Sequence, residues 1–153
     1  MNIVLFGCKD TTLHVARSFM TMNIQLSLVT ISPEKGKKQK VAAYFDLTSQ
    51  IHLFKEMYTA IRYDLKDEQD INFFRNKNFD LGIAMSWQRL IPSEILNEFK
   101  IGVFGMHGSA QDLPFGRGRS PMNRSIIEDR KWFYTNLFKY NAGIDNGPIM
   151  DTE

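Results

Sequence analysis

Residues 102–121 read Gly-Val-Phe-Gly-Met-His-Gly-Ser-Ala-Gln-Asp-Leu-Pro-Phe-Gly-Arg-Gly-Arg-Ser-Pro. The apolar run at 101–106 has the length of a buried strand, and it is predicted to deliver His107 onto the loop that follows. The glycines that allow unusual backbone conformations here are Gly105, Gly108, Gly116 and Gly118, and the prolines that restrict the backbone are Pro114 and Pro121. Glycines let a backbone approach a ligand closely. The stretch therefore predicts a buried strand that ends in a ligand-binding loop.

Four polar side chains on this loop are candidate functional groups. In an open parallel sheet, ligands bind beyond the carboxyl ends of the strands. We therefore expect His107, Ser109, Arg117 and Arg119 to project into a binding site. The alternative is a surface turn whose histidine and arginines are simply solvated. The clustering of special residues at one strand end favours the binding site.

The composition indicates a single domain with a substantial core. The chain has 153 residues, 43% of them hydrophobic, with a formal charge of +2 and a pI near 8.7. This mild basicity does not favour a nucleic-acid partner. The only cysteine, Cys8, excludes an internal disulfide and fits a reducing cytoplasm. No run approaches the ~18 apolar residues of a membrane helix, and no signal peptide is predicted.

The beginning of the chain predicts a strand–helix–strand unit with parallel strands. Its elements are strands at 3–6 and 26–31 and a helix at 11–22 that Asp10 or Thr11 caps. Gly7 follows the first strand, but no G-x-G-x-x-G follows, so the dinucleotide-binding fingerprint is absent. Cys8 is expected to be a buried structural thiol.

The rest of the chain continues the alternation of strands and helices. Residues 33–40 form a charge run that predicts a mobile loop, and residues 41–54 are expected to be partly helical, with His52 in the core or on the surface. Strands are predicted at 58–63, 79–85, 132–140 and from 149, and helices at 66–76, at 93–99 with Ser93 as cap, and from Ser120. We predict an α/β fold for the single domain 1–153, a Rossmann-like, mostly parallel sheet with helices on both faces.

Three segments are expected to meet at one end of this sheet. They are residues 86–92, 105–119 and 143–148. They offer one imidazole, His107, and one carboxylate, Asp145, which together would form a general acid/base unit. No second histidine or cysteine lies near by in sequence, so a metal site lacks ligands. Ser109 lacks the G-x-S-x-G elbow of a nucleophile.

The chain resembles a known enzyme family through blocks that span almost its whole length. These are Met1-Asn-Ile-Val-Leu-Phe-Gly7, Gln88-Arg-Leu-Ile-Pro92, His107-x-Ser109 with Leu113-Pro114 and Arg117-Gly118, and Gly143-Ile-Asp145-Asn-Gly147-Pro-Ile149. Together, and in this order, they resemble the catalytic domain of the N10-formyltetrahydrofolate-dependent formyltransferases. That family includes methionyl-tRNA formyltransferase, glycinamide ribonucleotide transformylase and the sugar-nucleotide N-formyltransferases.

The resemblance implies a role for each matching residue. His107 would move protons and help to stabilise the oxyanion, and Asp145 would position His107. The backbone of Arg89, Leu90 and Ile91 and the turn at Ile144, Asn146 and Gly147 would hold the pteridine of N10-formyltetrahydrofolate, the formyl donor. Ser109, Arg117 and Arg119 would contact the substrate.

Each of these roles has a plainer alternative. Arg89 would then be a solvated side chain, and Leu90 and Ile91 would be ordinary core residues. Arg117 and Arg119 would anchor their loop by hydrogen bonds. Asp145 would form an Asx-type turn.

The sequence departs from the family at position 105. The family pattern is Asn-x-His-x-Ser, and this chain has Gly105 where the asparagine would be. That amide donates to the developing oxyanion, and loss of such a donor costs about 10²–10³-fold in rate. Water, a backbone N–H or Asn123 would be substitutes. The site is thus predicted to be slow, rearranged or non-catalytic.

The chain also ends earlier than the family's domains do. The family continues past the matching Asp-x-Gly strand with a further helix and often a second domain. The final strand after 149 therefore has little support. We expect a fragment, a natural truncation, or a subunit that borrows packing from a partner such as a second copy.

Two classes of function follow. The first is an N-formyltransferase that acts on a small-molecule amine, with an amino-sugar nucleotide favoured and methionyl-tRNA as the alternative acceptor. The second is a folate- or nucleotide-binding module that has lost turnover together with the asparagine. An unrelated α/β domain is a third and weaker interpretation.

Overall fold

The computed structural model describes residues 1–111 and 113–153. These residues form one seven-stranded sheet with the order β3-β2-β1-β4-β5-β6-β7. Its strands are β1 (Ile3–Phe6), β2 (Ser27–Thr30), β3 (Met57–Thr59), β4 (Leu81–Ala84), β5 (Gly102–Ser109), β6 (Tyr134–Lys139) and β7 (Ile149–Thr152). The first five strands in this order, β3, β2, β1, β4 and β5, are parallel to one another. Strand β6 is antiparallel to β5, and β7 is antiparallel to β6. The predicted mostly parallel sheet is confirmed.

Helices lie on both faces of the sheet, as predicted. They are α1 (Asp10–Thr21), α2 (Pro33–Lys38), α3 (Glu68–Arg75), α4 (Ser93–Leu96) and α5 (Pro121–Ile127), together with a 3₁₀ segment (Thr48–Leu53) in the region expected to be partly helical. His52 is on the surface of that segment, and Cys8 is buried as predicted. Among the described residues, no helix combines the length and apolar character that crossing a bilayer requires.

The core consists of two apolar layers, one on each face of the parallel strands. On one face, the ring of Phe6 stacks on Phe74 of α3, with centroids 5.5 Å apart, and meets the edge of Trp87 at 6.1 Å. On the other face, Leu13 of α1 packs in the cluster that contains Leu5 of β1. Burial on both faces explains why these strands read as continuous apolar runs in the sequence.

Strand β5 is longer than the sequence predicts, and this changes the position of His107. The apolar run stops at Met106, but the strand continues to Ser109 because residues 104–109 pair with β6. His107 therefore lies within a strand, opposite Asn136, and not on the loop that follows. This corrects the prediction for His107 and makes its backbone position more rigid than a loop would.

Several local predictions are corrected by the backbone hydrogen bonds. Residues 33–38 form helix α2, because the Ser32 hydroxyl accepts from the Lys35 N–H and Pro33 lies at the first helical position. At α1 the cap is Lys9, whose N–H donates to Thr12 Oγ1 at 3.3 Å, and not Asp10 or Thr11.

The caps of two later helices also differ from expectation. Helix α4 is capped by Pro92, so Ser93 is its first residue. Ser120 precedes α5 with a left-handed φ of 55° and makes no capping bond with its side chain.

Strand β3 ends earlier than predicted because a buried carboxylate takes over its backbone donors. Asp70 of α3 is buried, and its carboxylate accepts from the Ile61 N–H at 2.7 Å, the Arg62 N–H at 2.9 Å and the Tyr58 hydroxyl at 2.8 Å. These N–H groups are thereby withdrawn from the strand ladder. Asp70 ties α3 to the edge of the sheet, a contact that the sequence pattern does not indicate.

We expect Asp70→Ala to lower the free energy of unfolding by about 3 kcal/mol, since three partly buried donors lose a charged acceptor. Asp70→Asn keeps one carbonyl oxygen as acceptor and should lose less. Urea unfolding followed by circular dichroism measures both variants. Equal stability of Asp70→Ala and the unsubstituted chain would show that this network contributes nothing.

Candidate active site

The first of the three predicted segments, residues 86–92, is held at the carboxyl end of β4 by two buried side chains. Trp87 contacts Tyr63 edge-on at 4.9 Å, and Ile91 is 2% exposed. The Gln88 N–H donates to the Tyr63 hydroxyl at 3.1 Å. The Ser86 and Thr11 hydroxyls form a hydrogen bond of 2.7 Å, which connects the segment to the start of α1. The side chain of Ile91 thus belongs to the core, as the alternative interpretation predicts.

Arg89 and Leu90 lie between those anchors and face outward. Leu90 is 50% exposed. The Arg89 guanidinium lies over the Tyr63 ring at 4.9 Å and donates to Gln39 Oε1 at 3.5 Å. Arg89 also lines a cavity of about 300 Å³ together with Lys35. The Arg89 side chain therefore has partners of its own, and only the backbone of this segment and Leu90 remain as ligand contacts.

His107 and Asp145 are neighbours in space. His107 Nδ1 lies 3.5 Å from Asp145 Oδ2, and both side chains are largely buried. His107 Nε2 lies 3.0 Å from the Gly116 carbonyl oxygen. A neutral imidazole donates from one nitrogen and can satisfy one of these two acceptors, whereas the imidazolium satisfies both. Two residues 38 positions apart in sequence thus form a potential proton-transfer pair.

Asp145 joins the two loops on either side of the histidine. Its Oδ2 also accepts from the Gly118 N–H at 3.0 Å. The residue has φ of 43°, in the left-handed region that aspartate tolerates better than most residues. The carboxylate therefore bridges residues 113–118 to the turn at 143–148. This bond across loops argues against the simple Asx-turn alternative.

The rest of the predicted pteridine-binding turn is accessible. Ile144 is more than half exposed, and the Asn146 side chain is exposed beside Gly143. A Cβ at Gly147 would overlap the Lys139 carbonyl oxygen, so glycine is required for the turn to pack on β6. No backbone hydrogen bond between this turn and residues 86–92 is found among the described residues.

The predicted substrate-binding residues have different environments. Ser109 is 2% exposed, and its hydroxyl accepts from the Gln111 N–H at 3.1 Å. A Cβ at Gly116 would overlap Ser109 Oγ, so the loop lies directly on that hydroxyl. The Ser109 hydroxyl is thus covered by its own loop, and contact with a substrate would require this loop to move. Arg117 and Arg119 are exposed on either side of the Gly118 N–H.

Comparison with known proteins finds relatives whose sequences match the whole of this chain. No family model matches it. The methionyl-tRNA formyltransferase of Rickettsia canadensis is 32% identical over 157 residues, which cover all of this chain and 50% of that protein. Over its whole length the chain is thus similar to methionyl-tRNA formyltransferases. It spans about half the length of the curated formyltransferases that it matches.

Solved formyltransferases share the fold. Phosphoribosylglycinamide formyltransferase from Bacillus halodurans superposes with a TM-score of 0.73 at 16% identity, covering 100% of this chain and 78% of that one. An N-formyltransferase from Helicobacter canadensis, in complex with folinic acid and dTDP-3-aminofucose, gives a TM-score of 0.64 at 14% identity, covering 100% and 52% of the two chains. At these identities the likeness concerns the fold alone.

Position 105 is where this chain departs from the formyltransferase pattern, and a tyrosine fills the space. A Cβ placed on Gly105 would lie 2.6 Å from the Tyr140 hydroxyl oxygen. The Tyr140 ring stacks on Phe138 at 5.0 Å. Burial, with a further contribution from the Asp145 charge, raises the pKa of Tyr140 to about 12. Sequence reasoning missed Tyr140, because only the pairing of β5 with β6 places it beside Gly105.

A larger cavity lies on the opposite face of the sheet. It has a volume of about 430 Å³ and is lined mainly by apolar residues of α1, β4, β5 and β6, such as Phe19, Ile83 and Leu137. Alternation along β5 places Met106 toward this face and His107 toward the other. The cavity is therefore separate from the His107–Asp145 pair. Among the described residues, no group of three His, Cys, Asp or Glu side chains could hold a metal ion.

Proposed function

We propose that this chain is the catalytic part of an N-formyltransferase, which moves the formyl group of N10-formyltetrahydrofolate to an amine. The observation that carries the proposal is the pairing of His107 Nδ1 with Asp145 Oδ2 at 3.5 Å, in a chain whose relatives are formyltransferases. The pair has the residue types that proton transfer at neutral pH requires. Its partial burial protects it from bulk water.

His107 would take up the proton that the attacking amine releases. Asp145 holds Nδ1, so Nε2 is the nitrogen that faces the substrate. In this structure that nitrogen lies 3.0 Å from the Gly116 carbonyl oxygen, so the loop at 113–118 must move away before Nε2 can approach the amine. The imidazolium would then return a proton to the leaving N10, and Asp145 stabilises its charge.

The two exposed segments at the strand ends suit a flat, hydrogen-bonding ring such as a pteridine. Leu90 offers an apolar surface beside free backbone groups, and the turn at Ile144, Asn146 and Gly147 offers further backbone donors and acceptors. Arg89 and Ile91 would contribute their backbone only, because their side chains have partners in the protein. Apolar surface with a few polar groups is typical of cofactor sites.

For the acceptor we favour an amino-sugar nucleotide. The formal charge of +2 is small for a surface that binds tRNA. The exposed Arg117 and Arg119 flank the Gly118 N–H that reaches Asp145, so they would hold a diphosphate near His107. The fold neighbour from Helicobacter canadensis binds dTDP-3-aminofucose. Methionyl-tRNA is the alternative, because the curated relatives are methionyl-tRNA formyltransferases.

The test is a direct assay of turnover. The protein is incubated with N10-formyltetrahydrofolate and one amine at a time, namely an amino-sugar nucleotide, methionyl-tRNA or glycinamide ribonucleotide, while release of tetrahydrofolate is followed. We expect release that depends on the amine, with the formamide product confirmed by mass spectrometry. A reaction without amine measures hydrolysis of the donor.

A folate-binding module without turnover is the second candidate, and the glycine at position 105 is the observation that favours it. Saturable binding of folinic acid without release of tetrahydrofolate from any mixture would support the module. Absence of both binding and release would contradict both functions.

Loss of either loop arginine should weaken binding of the acceptor. We expect Arg117→Gln or Arg119→Gln to raise KM for the amino-sugar nucleotide about tenfold with little change in kcat, because a charge-assisted contact to phosphate is lost. Arg17→Gln on the exposed side of α1 is the matched control. An unchanged KM in both loop variants would leave these arginines a purely structural role.

A further inference from the structure

The side chain of Tyr140 occupies the place that a side chain at position 105 would take. The Tyr140 hydroxyl oxygen is 2.6 Å, and Cζ 2.8 Å, from a Cβ built on Gly105. Atoms at such distances cannot coexist with a real Cβ. The position of the Tyr140 ring therefore requires a glycine at position 105. The hydroxyl end of the phenol fills the space that a side chain at position 105 would occupy.

The hydroxyl also lies on the same face of β5 as His107. Side chains two residues apart on a strand project to the same side, about 7 Å apart. Positions 105 and 107 are related in this way, and Gly105 and His107 face Phe138 and Asn136 of β6. Tyr140 approaches position 105 from beyond Phe138. The phenol and the imidazole therefore border the same side of the strand.

The hydroxyl is a neutral donor, and no hydrogen bond of it is found among the residues that the structure describes. The pKa of Tyr140 is raised to about 12 by burial first and by Asp145 second, with no hydrogen bond among the causes. A raised phenol pKa means that the protonated form persists at neutral pH and is lost only as the pH rises through that value. The residue is partly exposed.

We propose that the Tyr140 hydroxyl donates a hydrogen bond to the formyl oxygen during transfer, taking over the part that the asparagine plays in other formyltransferases. The inference rests on the proposed function. The acceptor nitrogen forms a bond to the formyl carbon with its lone pair, and the carbonyl π pair moves onto oxygen. Tyr140 stabilises that oxygen without giving up its proton.

The later movements of charge involve His107. The carbonyl re-forms as the carbon–N10 bond breaks, and the bonding pair goes to N10. The proton lost by the acceptor nitrogen reaches N10 through His107. The products are a formamide and tetrahydrofolate, so no oxidant, reductant or metal is needed.

Two asparagines are alternative donors, and both are less accessible or more distant than Tyr140. The Asn136 Nδ2 has no hydrogen-bond partner among the described residues, but it is fully buried. Asn136 lies across from His107, but it is 0% exposed and its Oδ1 accepts from the Thr152 hydroxyl at 2.9 Å. A ligand cannot touch an amide that has no accessible surface. Asn123 is exposed on α5, and no contact of its side chain with β5 is seen among the described residues.

The first test is Tyr140→Phe, which keeps the ring in place and removes only the hydroxyl. We expect kcat to fall about 10²–10³-fold with KM changed less than threefold, as for loss of one oxyanion donor. Tyr134→Phe at the start of β6, the strand that Tyr140 follows, is the matched control and should retain full activity. If Tyr140 only fills space, Tyr140→Phe will keep its kcat, and that result overturns the proposal.

A second pair of variants moves the donor back to β5. Gly105→Asn alone should be inactive or unstable, because its side chain overlaps the phenol. Gly105→Asn combined with Tyr140→Met makes room for the amide, and we expect activity at least tenfold above that of Tyr140→Met alone. If the double variant is no more active than Tyr140→Met, positions 105 and 140 do not supply the same hydrogen-bond donor, and the proposal is contradicted.

A spectroscopic measurement separates this inference from the proposed function. 10-Formylfolic acid labelled with ¹³C in its formyl group is bound to each protein without an amine, and the infrared carbonyl band is recorded. A band at lower frequency in the unsubstituted chain than in Tyr140→Phe shows the hydrogen bond, even if turnover fails. Identical bands, or no binding of this analogue, overturn the inference whatever the assay of turnover gives.

Discussion

His107→Ala is expected to lower kcat/KM for formyl transfer by about 10²–10⁴-fold, the usual contribution of a positioned general acid or base. In the proposed mechanism the imidazole accepts the proton of the amine while it stays paired with Asp145, which lies 3.5 Å away in the structure. Alanine removes both functions while β5, which pairs with β4 as far as Gly105 and with β6 as far as Ser109, keeps its backbone. Release of tetrahydrofolate under steady-state conditions measures the loss.

His52→Ala is the control for this variant, since it removes an exposed imidazole far along the chain from the site. It should be fully active, and both variants should give the circular dichroism spectrum of the unsubstituted protein. Retention of more than a tenth of the activity by a folded His107→Ala protein would contradict the proposed mechanism. Addition of free imidazole should restore part of the lost rate.

The parallel part of the sheet could be predicted because its signals are local. Strands β1 and β2 are buried on both faces and β4 is partly buried on one of them, so each one reads as an apolar run of its own. The pairing of His107 with Asp145 was predicted from residue chemistry and order, and the structure brings the two together. Their catalytic roles stay predictions until the variants are measured.

The features that the sequence did not indicate depend on partners distant in the chain. The last three residues of β5 are strand only because β6 supplies antiparallel hydrogen bonds. Tyr140 reaches Gly105, and Gly116 covers Ser109, through the same long-range pairing and loop packing. An apolar pattern contains no information about such contacts. Helix α2 was not predicted for a different reason. Its many charged residues were interpreted as a loop, although Ser32 and Pro33 are typical of the start of a helix.

Asp145→Asn is the second variant with a large expected effect, a fall in kcat of about 10²–10³-fold. The amide keeps the shape of the side chain, and its oxygen can still accept from the Gly118 N–H. It loses the negative charge that orients His107 and stabilises the imidazolium. The expected signature is therefore a loss in kcat with little change in KM or in stability, measured by steady-state kinetics and urea unfolding.

Asp151→Asn on the exposed strand β7 removes a carboxylate without touching the site, and it should behave as the unsubstituted chain does. The decisive comparison is Asp145→Asn made in the His107→Ala protein. A carboxylate that acts only by positioning the imidazole has nothing left to position there, so the double variant should be no slower than His107→Ala alone. If the two losses multiply instead, Asp145 contributes to transfer independently of His107, and its action must be on the donor or the amine directly.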